Sequence, residues 1–177
     1  MKEVYRIPES EFRTTEWSGG TTTELYIWPE GSSYAERRFS FRISSALVEL
    51  ESSVFTRLEG VKRFLTPLCE GFRLTVNGEC VKLENGGILE FSGEDEVLCE
   101  GAGRDLNLML KGVCGVMKLV RGPFAVYESR FCFLFAKEEA VLERDGEKLA
   151  LPAGAFLKLG RGAYSVSGEA VIFLIDA

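Results

Sequence analysis

Apolar and polar residues alternate along much of this chain with a period of two. Phe39, Phe41 and Ile43 interleave with Ser40, Arg42 and Ser44. Leu106, Leu108 and Leu110 interleave with Asp105, Asn107 and Met109. Side chains alternate across a strand, so each segment predicts a β-strand with one apolar and one polar face. Residues 131–135 and 170–175 are apolar throughout, which predicts strands covered on both faces. Short apolar runs set between Gly, Asn, Asp and Ser define an all-β class. The one helical expectation is a single short turn within residues 8–13.

Two hairpins share a pattern. Residues 73–83 turn on Asn77-Gly78, and residues 142–151 turn on Asp145-Gly146. Both pairs tolerate the positive φ of a type I′ turn. Shifted by 68 residues, Gly78 falls on Gly146, Leu74 on Leu142, Leu83 on Leu151 and Gly86 on Gly154. One motif used twice implies an internal duplication, and hence two barrels in one chain. The expected division is residues 1–116, with the candidate ligand pocket, and residues 117–177, with strands open to exchange between them.

Charge and composition then exclude several classes. The net charge is −6 and the basic residues are dispersed, so a phosphate-binding face and a nucleic-acid partner are not expected. No apolar run approaches the roughly 20 residues of a membrane helix, and residues 1–6 show no apolar signal core. Cys69, Cys80, Cys99, Cys114 and Cys132 are odd in number and lack Cys-x-x-Cys spacing, so reduced thiols in a cytoplasmic protein are expected. Histidine is absent. The usual ligand for zinc, iron and copper is therefore missing, as is the commonest general base, and no metal or other cofactor is expected. Glu94-Asp95-Glu96 reads as a solvated loop rather than a calcium site.

Several polar residues sit where packing alone does not require them. Trp17, Gly19, Gly20, Thr21 and Glu24 combine close backbone approach, hydroxyls and a carboxylate, against the simpler reading of a glycine turn feeding an edge strand. Arg42, with Ser44 beside it on the polar face, and Arg63 emerge from apolar strands. A buried guanidinium is costly unless paired, and its planar fork fits a carboxylate. The partner of Arg63 is either a bound organic acid or an internal residue such as Glu24 or Asp105. Asp105 and Asn107 read either as a strand end bonding its own backbone or as groups at a barrel mouth.

These segments together resemble the HutD/Ves family. Its Trp and Gly-Gly-Thr-Glu segment is matched by Trp17, Gly19, Gly20, Thr21, Thr23 and Glu24, and its aromatic-Arg-x-Ser strand by Phe41, Arg42 and Ser44. Phe55, Thr56, Gly60 and Arg63 match a further segment, and Asp105, Asn107 and Met109 a last one. The spacing Gly146, Pro152, Gly154 resembles the second motif of cupins. The resemblance implies a bicupin, that is, a double jelly-roll, in the bacterial cytoplasm, with a regulatory, ligand-sensing role linked to histidine degradation in HutD members. Metal-dependent cupins hold their ion with His and Glu at positions that fall here near Leu58, Gly60 and Phe64, residues that cannot ligate.

Three functions follow as expectations. The first is a metal-free receptor for a small organic acid, urocanate-like or a formylated glutamate by resemblance. In it Arg63 grips the carboxylate, Arg42 assists, Trp17 and Phe55 wall the pocket, and Thr21, Glu24 and Asn107 orient the ligand. The second is a metal-independent isomerase or lyase with Glu24 or Asp105 as base. The third is a non-catalytic interaction protein that forms a homodimer through exposed β edges.

Overall fold

The computed structural model describes residues 1–68 and 70–177, so Cys69 lies outside the described residues. The described chain is almost entirely β. A short strand β1 (Val4–Arg6) and one 3-10 turn (Glu9–Glu11), inside the segment expected to turn, come first. Next are β2 (Arg13–Trp17), β3 (Gly20–Trp28), β4 (Phe41–Val48), β5 (Ser52–Val54) and β6 (Val61–Pro67). These are followed by β7 (Gly71–Val76), β8 (Glu79–Glu84), β9 (Leu89–Ser92), β10 (Val97–Glu100) and β11 (Gly103–Lys111). The remainder is β12 (Cys114–Val126), β13 (Phe131–Ala136), β14 (Ala140–Arg144), β15 (Glu147–Leu151), β16 (Phe156–Leu159) and β17 (Gly162–Asp176).

The chain forms two compact units. Phe12–Val113 makes the first; Met1–Glu11 and Cys114–Ala177 make the second. The N-terminal residues belong to the second unit because β1 pairs antiparallel with β16, whereas a cut at residue 116 would leave them in the first.

In the first unit one antiparallel sheet runs β2-β3-β4-β11-β6-β9 and a second runs β5-β10-β7-β8. Leu65 and Phe91 of the first sheet pack with Phe72, Leu74, Leu83, Val97 and Cys99 of the second. This is the sheet-on-sheet packing of a jelly roll, driven by one apolar face on each sheet. A separate cluster of Phe39, Leu58, Val61 and Met109 fills another part of the interior. Strand β4 alternates as the sequence predicts, but both its faces are buried: Phe41 and Ile43 on one side, Arg42 and Ser44 on the other. The polar face therefore meets an internal space instead of solvent.

In the second unit every residue of β13 is buried, as its unbroken apolar run predicts. Cys132, Leu134 and Ala136 join Leu157, Leu159, Tyr164, Val166 and Ile172 in one cluster. On the opposite face Phe133 stacks on Phe156 at 5.4 Å between ring centroids, and Phe156 meets Phe173 edge-on at 6.3 Å. Burial pushes the Cys132 thiol up to about 12, so it behaves as a small hydrophobe. Cys80 and Cys114 are exposed thiols.

The repeated hairpins have the predicted two-residue turns. Val76 pairs with Glu79 across Asn77 (φ 48°) and Gly78 (φ 87°), and Arg144 pairs with Glu147 across Asp145 (φ 52°) and Gly146 (φ 79°). Two consecutive positive φ values define type I′ and match the twist of the flanking strands.

The Gly19-Gly20 pair serves a different close approach. Gly19 lies beneath the Trp17 ring, and Gly20, at φ 143°, is so close to β4 that a Cβ would run into the Leu47 carbonyl oxygen. Backbone thus meets backbone within the sheet. Gly20→Ala is expected to destabilise the protein by more than about 1 kcal/mol, through strain and this clash, read as a lower urea midpoint with unchanged m-value.

Candidate functional site

The first unit encloses a cavity of about 630 Å³. Its walls come from β2, β3, β4, β6 and β11, with residues 32–37 and 54–56 at the rim. Eight of the nine residues singled out in the sequence line it: Trp17, Glu24, Arg42, Ser44, Phe55, Arg63, Asp105 and Asn107. Thr21 does not. It alternates with Thr22, which does line the cavity, so the structure places Thr21 on the opposite face of β3.

A β-bulge sets which residues of β3 face inward. Thr22 and Glu24 pair with Ala46 and Ser44, then the register shifts across Leu25 so that Tyr26 pairs with Ile43 and Ile27 with Arg42. The extra residue inverts the alternation. Tyr26 consequently stacks on Phe41 outside the cavity at 5.7 Å, while Ile27 packs inward against the Phe39 cluster.

The two buried guanidinium groups have different environments. Arg42 is 4% exposed and donates from Nε to Glu24 Oε2 at 2.7 Å, with Ser44 Oγ at 3.4 Å from its Nη1. Tyr34 lies 4.2 Å from its guanidinium carbon. Arg63 is 7% exposed and forms no ion pair among the described residues. It donates to the Thr56 carbonyl oxygen at 3.3 Å, while its Nε is buried without a partner. The rings of Phe55 and Phe91 flank it at 5.2 and 5.0 Å. Burial lowers its pKa to about 10 and Arg42 adds to this, against the support of Tyr34 and Asp105; at neutral pH it remains a cation. Of the alternatives open in the sequence, Glu24 is taken by Arg42, and Asp105 acts on Arg63 only through space.

Asp105 lies within β11, 2% exposed, rather than at a strand end. Its Oδ1 accepts from the Ala46 N–H at 3.2 Å and from Asn107 Nδ2 at 2.5 Å. Burial pushes its carboxyl up to about 7, against the Ala46 bond, the Arg63 charge and the Asn107 bond. Asn107 Oδ1 and Trp17 Nε1 are buried with no partner. The cavity thus presents an unpaired cation, unfilled donors and an unfilled acceptor between aromatic walls, which is the chemistry of a polar ligand site.

Sequence reasoning missed Tyr34, Thr22, Ser33 and Arg13, which also line the cavity. An aromatic in a polar loop was the available signal for Tyr34, whose ring also lies 4.4 Å from the Arg37 guanidinium carbon. The residues present do not fit the metal that many cupins hold. Among the described residues no group of three His, Cys, Asp or Glu converges, Glu24 is engaged by Arg42, and two guanidinium groups face the space. Glu94, Asp95 and Glu96 serve loop structure: they accept from Gly60 N–H, from Ser92 N–H and Asn77, and from Arg57.

Two facing β-sheets around an internal polar cavity define a cupin-type jelly-roll protein with a small-molecule-sized pocket. The chain belongs to the HutD family, whose model matches residues 9–170. A conserved protein of unknown function from Pseudomonas aeruginosa PAO1 is similar at TM-score 0.82 and 23% identity, covering 99% of this chain and 100% of that one. HutD from Pseudomonas fluorescens SBW25 is similar at TM-score 0.78 and 24% identity, covering 98% and 97%. A cupin 2 conserved barrel domain protein from Leptotrichia buccalis shares the fold at TM-score 0.58 and 11% identity, covering 93% and 92%. At these identities the structural likeness establishes the fold alone. No curated protein sequence matches the chain significantly.

Opposite stability effects are expected from the two arginines. Arg63→Met removes an unpaired buried cation and is expected to raise the urea midpoint of ligand-free protein. Arg42→Met strands Glu24 and is expected to lower stability by about 3–5 kcal/mol. Asp105 gives a pH signature. Its folded-state pKa of about 7 lies above the unfolded value of about 3.9, so its protonated form favours folding, and that contribution is lost as pH rises toward and through 7. Asp105→Asn keeps both hydrogen-bond geometries without the charge. Its thermal midpoint is expected to gain on that of the wild type between pH 5 and pH 8.

Proposed function

We propose that this HutD-family protein is a receptor for a small organic acid, with Arg63 as the contact for its carboxylate. One observation carries the reading: a guanidinium only 7% exposed lines the cavity without a carboxylate partner among the described residues. Proteins seldom bury a charge unpaired, and a ligand carboxylate supplies both the missing charge and a fork-shaped acceptor. Arg42 is already neutralised by Glu24, so its part is to shape the wall and hold Tyr34. The other cations of the lining, Arg13 and Arg37, are exposed or partly exposed, so Arg63 is the buried charge left for a carboxylate. Trp17 and Phe55 cover an apolar body, and Asn107 Oδ1 is available to an N–H or O–H donor on the ligand. Urocanate has these features, and the family's link to histidine degradation makes it the first acid to try; a formylated glutamate is the second. A regulatory role in the cytoplasm completes the reading. Among the described residues no helix is long and apolar enough to cross a membrane.

A second reading is supported by Asp105. A buried carboxyl near pKa 7 beside a cation is suited to proton transfer in a metal-independent isomerase or lyase, with Arg63 stabilising a developing enolate. Product formation from candidate acids by EDTA-treated protein favours this reading; tight binding without turnover favours the receptor.

For the receptor, titration calorimetry with urocanate is the direct measurement. A charge-assisted pair of about 1.5–3 kcal/mol means that Arg63→Gln weakens binding roughly ten- to a hundredfold. Equal affinity in wild type and a folded Arg63→Gln variant would remove Arg63 from the site.

A further inference from the structure

We propose that the first-unit cavity takes up a monocarboxylate together with one proton, which is held on Asp105; this rests on the reading of Arg63 as the anion's contact. The geometry sets the coupling. Asp105 is buried in the same lining as Arg63, its partners are the neutral donors Ala46 N–H and Asn107 Nδ2, and it forms no ion pair among the described residues. In the empty cavity Asp105 and Arg63 are each other's through-space counter-charge. An anion that pairs with Arg63 takes that compensation away and places a second negative charge near Asp105. Two like charges in one desolvated space do not both remain ionised, and the group with the weaker support takes the proton.

The other charged and titratable groups around the space do not take over this role. From β4, Arg42 is bound to Glu24 of β3. From β2, Arg13 and Glu16 line the cavity but are exposed. From the loop, Arg37 and Tyr34 are partly exposed and pack on each other. Both hydrogen bonds to Asp105 fall on Oδ1, so the proton is placed on Oδ2. The proton comes from solvent or buffer and forms one O–H bond there; no bond of the anion breaks. Protonation also turns Oδ2 from an acceptor into a donor, adding a hydrogen-bond donor to the cavity wall.

Burial raises the Asp105 carboxyl from its ordinary range to about 7, which gives the range in which coupling is visible. At pH 6 the carboxyl of the empty protein is already mostly protonated, so binding takes up little. At pH 8 it is mostly ionised, and uptake approaches one proton per anion. By linkage, affinity then falls up to about tenfold per pH unit above neutrality.

Calorimetric titration with cinnamate, benzoate and 3-phenylpropionate, none of which titrates in this range, each in two buffers of different ionisation enthalpy at pH 6 and pH 8, counts these protons. Carboxyl carbon NMR of wild-type Asp105, with and without saturating probe, reads the same shift without any substitution. The expected result is near-zero uptake at pH 6, an approach to one proton at pH 8, an Asp105 titration moved upward by the probe, and pH-independent affinity in Asp105→Asn. Binding that depends on Arg63 but is the same at both pH values, with the Asp105 titration unmoved, would overturn the proton coupling and leave the receptor reading standing. No binding of any of the three probes at either pH would overturn both.

Discussion

One ion pair organises the interior of the first unit. Arg42 and Arg63 both project from sheet strands into the same desolvated space, and the lining supplies only one carboxylate in direct contact, Glu24, which goes to Arg42. Had Asp105 turned toward Arg63, both buried guanidinium groups would be paired and the cavity would be electrically closed. Instead Asp105 is held by an amide and a backbone N–H, and Arg63 keeps its charge between two phenyl rings. Rings offset only part of the desolvation of a cation. The desolvation cost that remains is what the proposed carboxylate ligand would offset.

The scaffold makes that arrangement rigid. Strand β4 is paired along its length to β3 on one side and β11 on the other, so Arg42 and Ser44 cannot move without breaking two ladders. Arg63 lies on β6 directly opposite Met109 of β11, two residues along from Asn107. Arg63, Asp105 and Asn107 thus belong to adjacent strands of one sheet, where spacing is fixed by backbone hydrogen bonds. Sites built on strands keep their geometry better than sites built on loops. Only the rim, at residues 32–37 and at 55–56 just after β5, is made from connecting segments.

Asp105 and Arg63 also show why stability and function diverge here. Arg63 is a buried cation that hydrocarbon would replace at a gain in folding free energy, and Asp105 a buried carboxyl that an amide would replace without losing its hydrogen bonds. Their opposite charges moderate each other through space without forming a contact pair, which leaves both able to respond when a further charge arrives. A closed salt bridge between them would be silent to ligand and to pH.

Much of this was legible from residue order. Alternation at 39–44 and 105–110, the Asn-Gly and Asp-Gly turns, and the unbroken apolar run at 131–135 reflect purely local rules, those of strand pleat and turn φ, so they determined the all-β class and the hairpins. Polar residues recurring among apolar strand positions also singled out Arg42, Arg63, Asp105 and Asn107 as candidate site residues, since alternation assigns a polar face without reference to distant residues. Three features belonged to the tertiary structure. The bulge at Leu25 decides that Ile27 rather than Tyr26 turns inward, because an extra residue in a strand leaves no trace in period-two pattern. Tyr34 reaches the cavity from a loop, whose path is set by packing. The choice of Glu24 for Arg42, which leaves Arg63 unpaired, depends on the β3–β4 register: pairing brings side chains 18 residues apart to 2.7 Å, and no local rule fixes which of two arginines will be met.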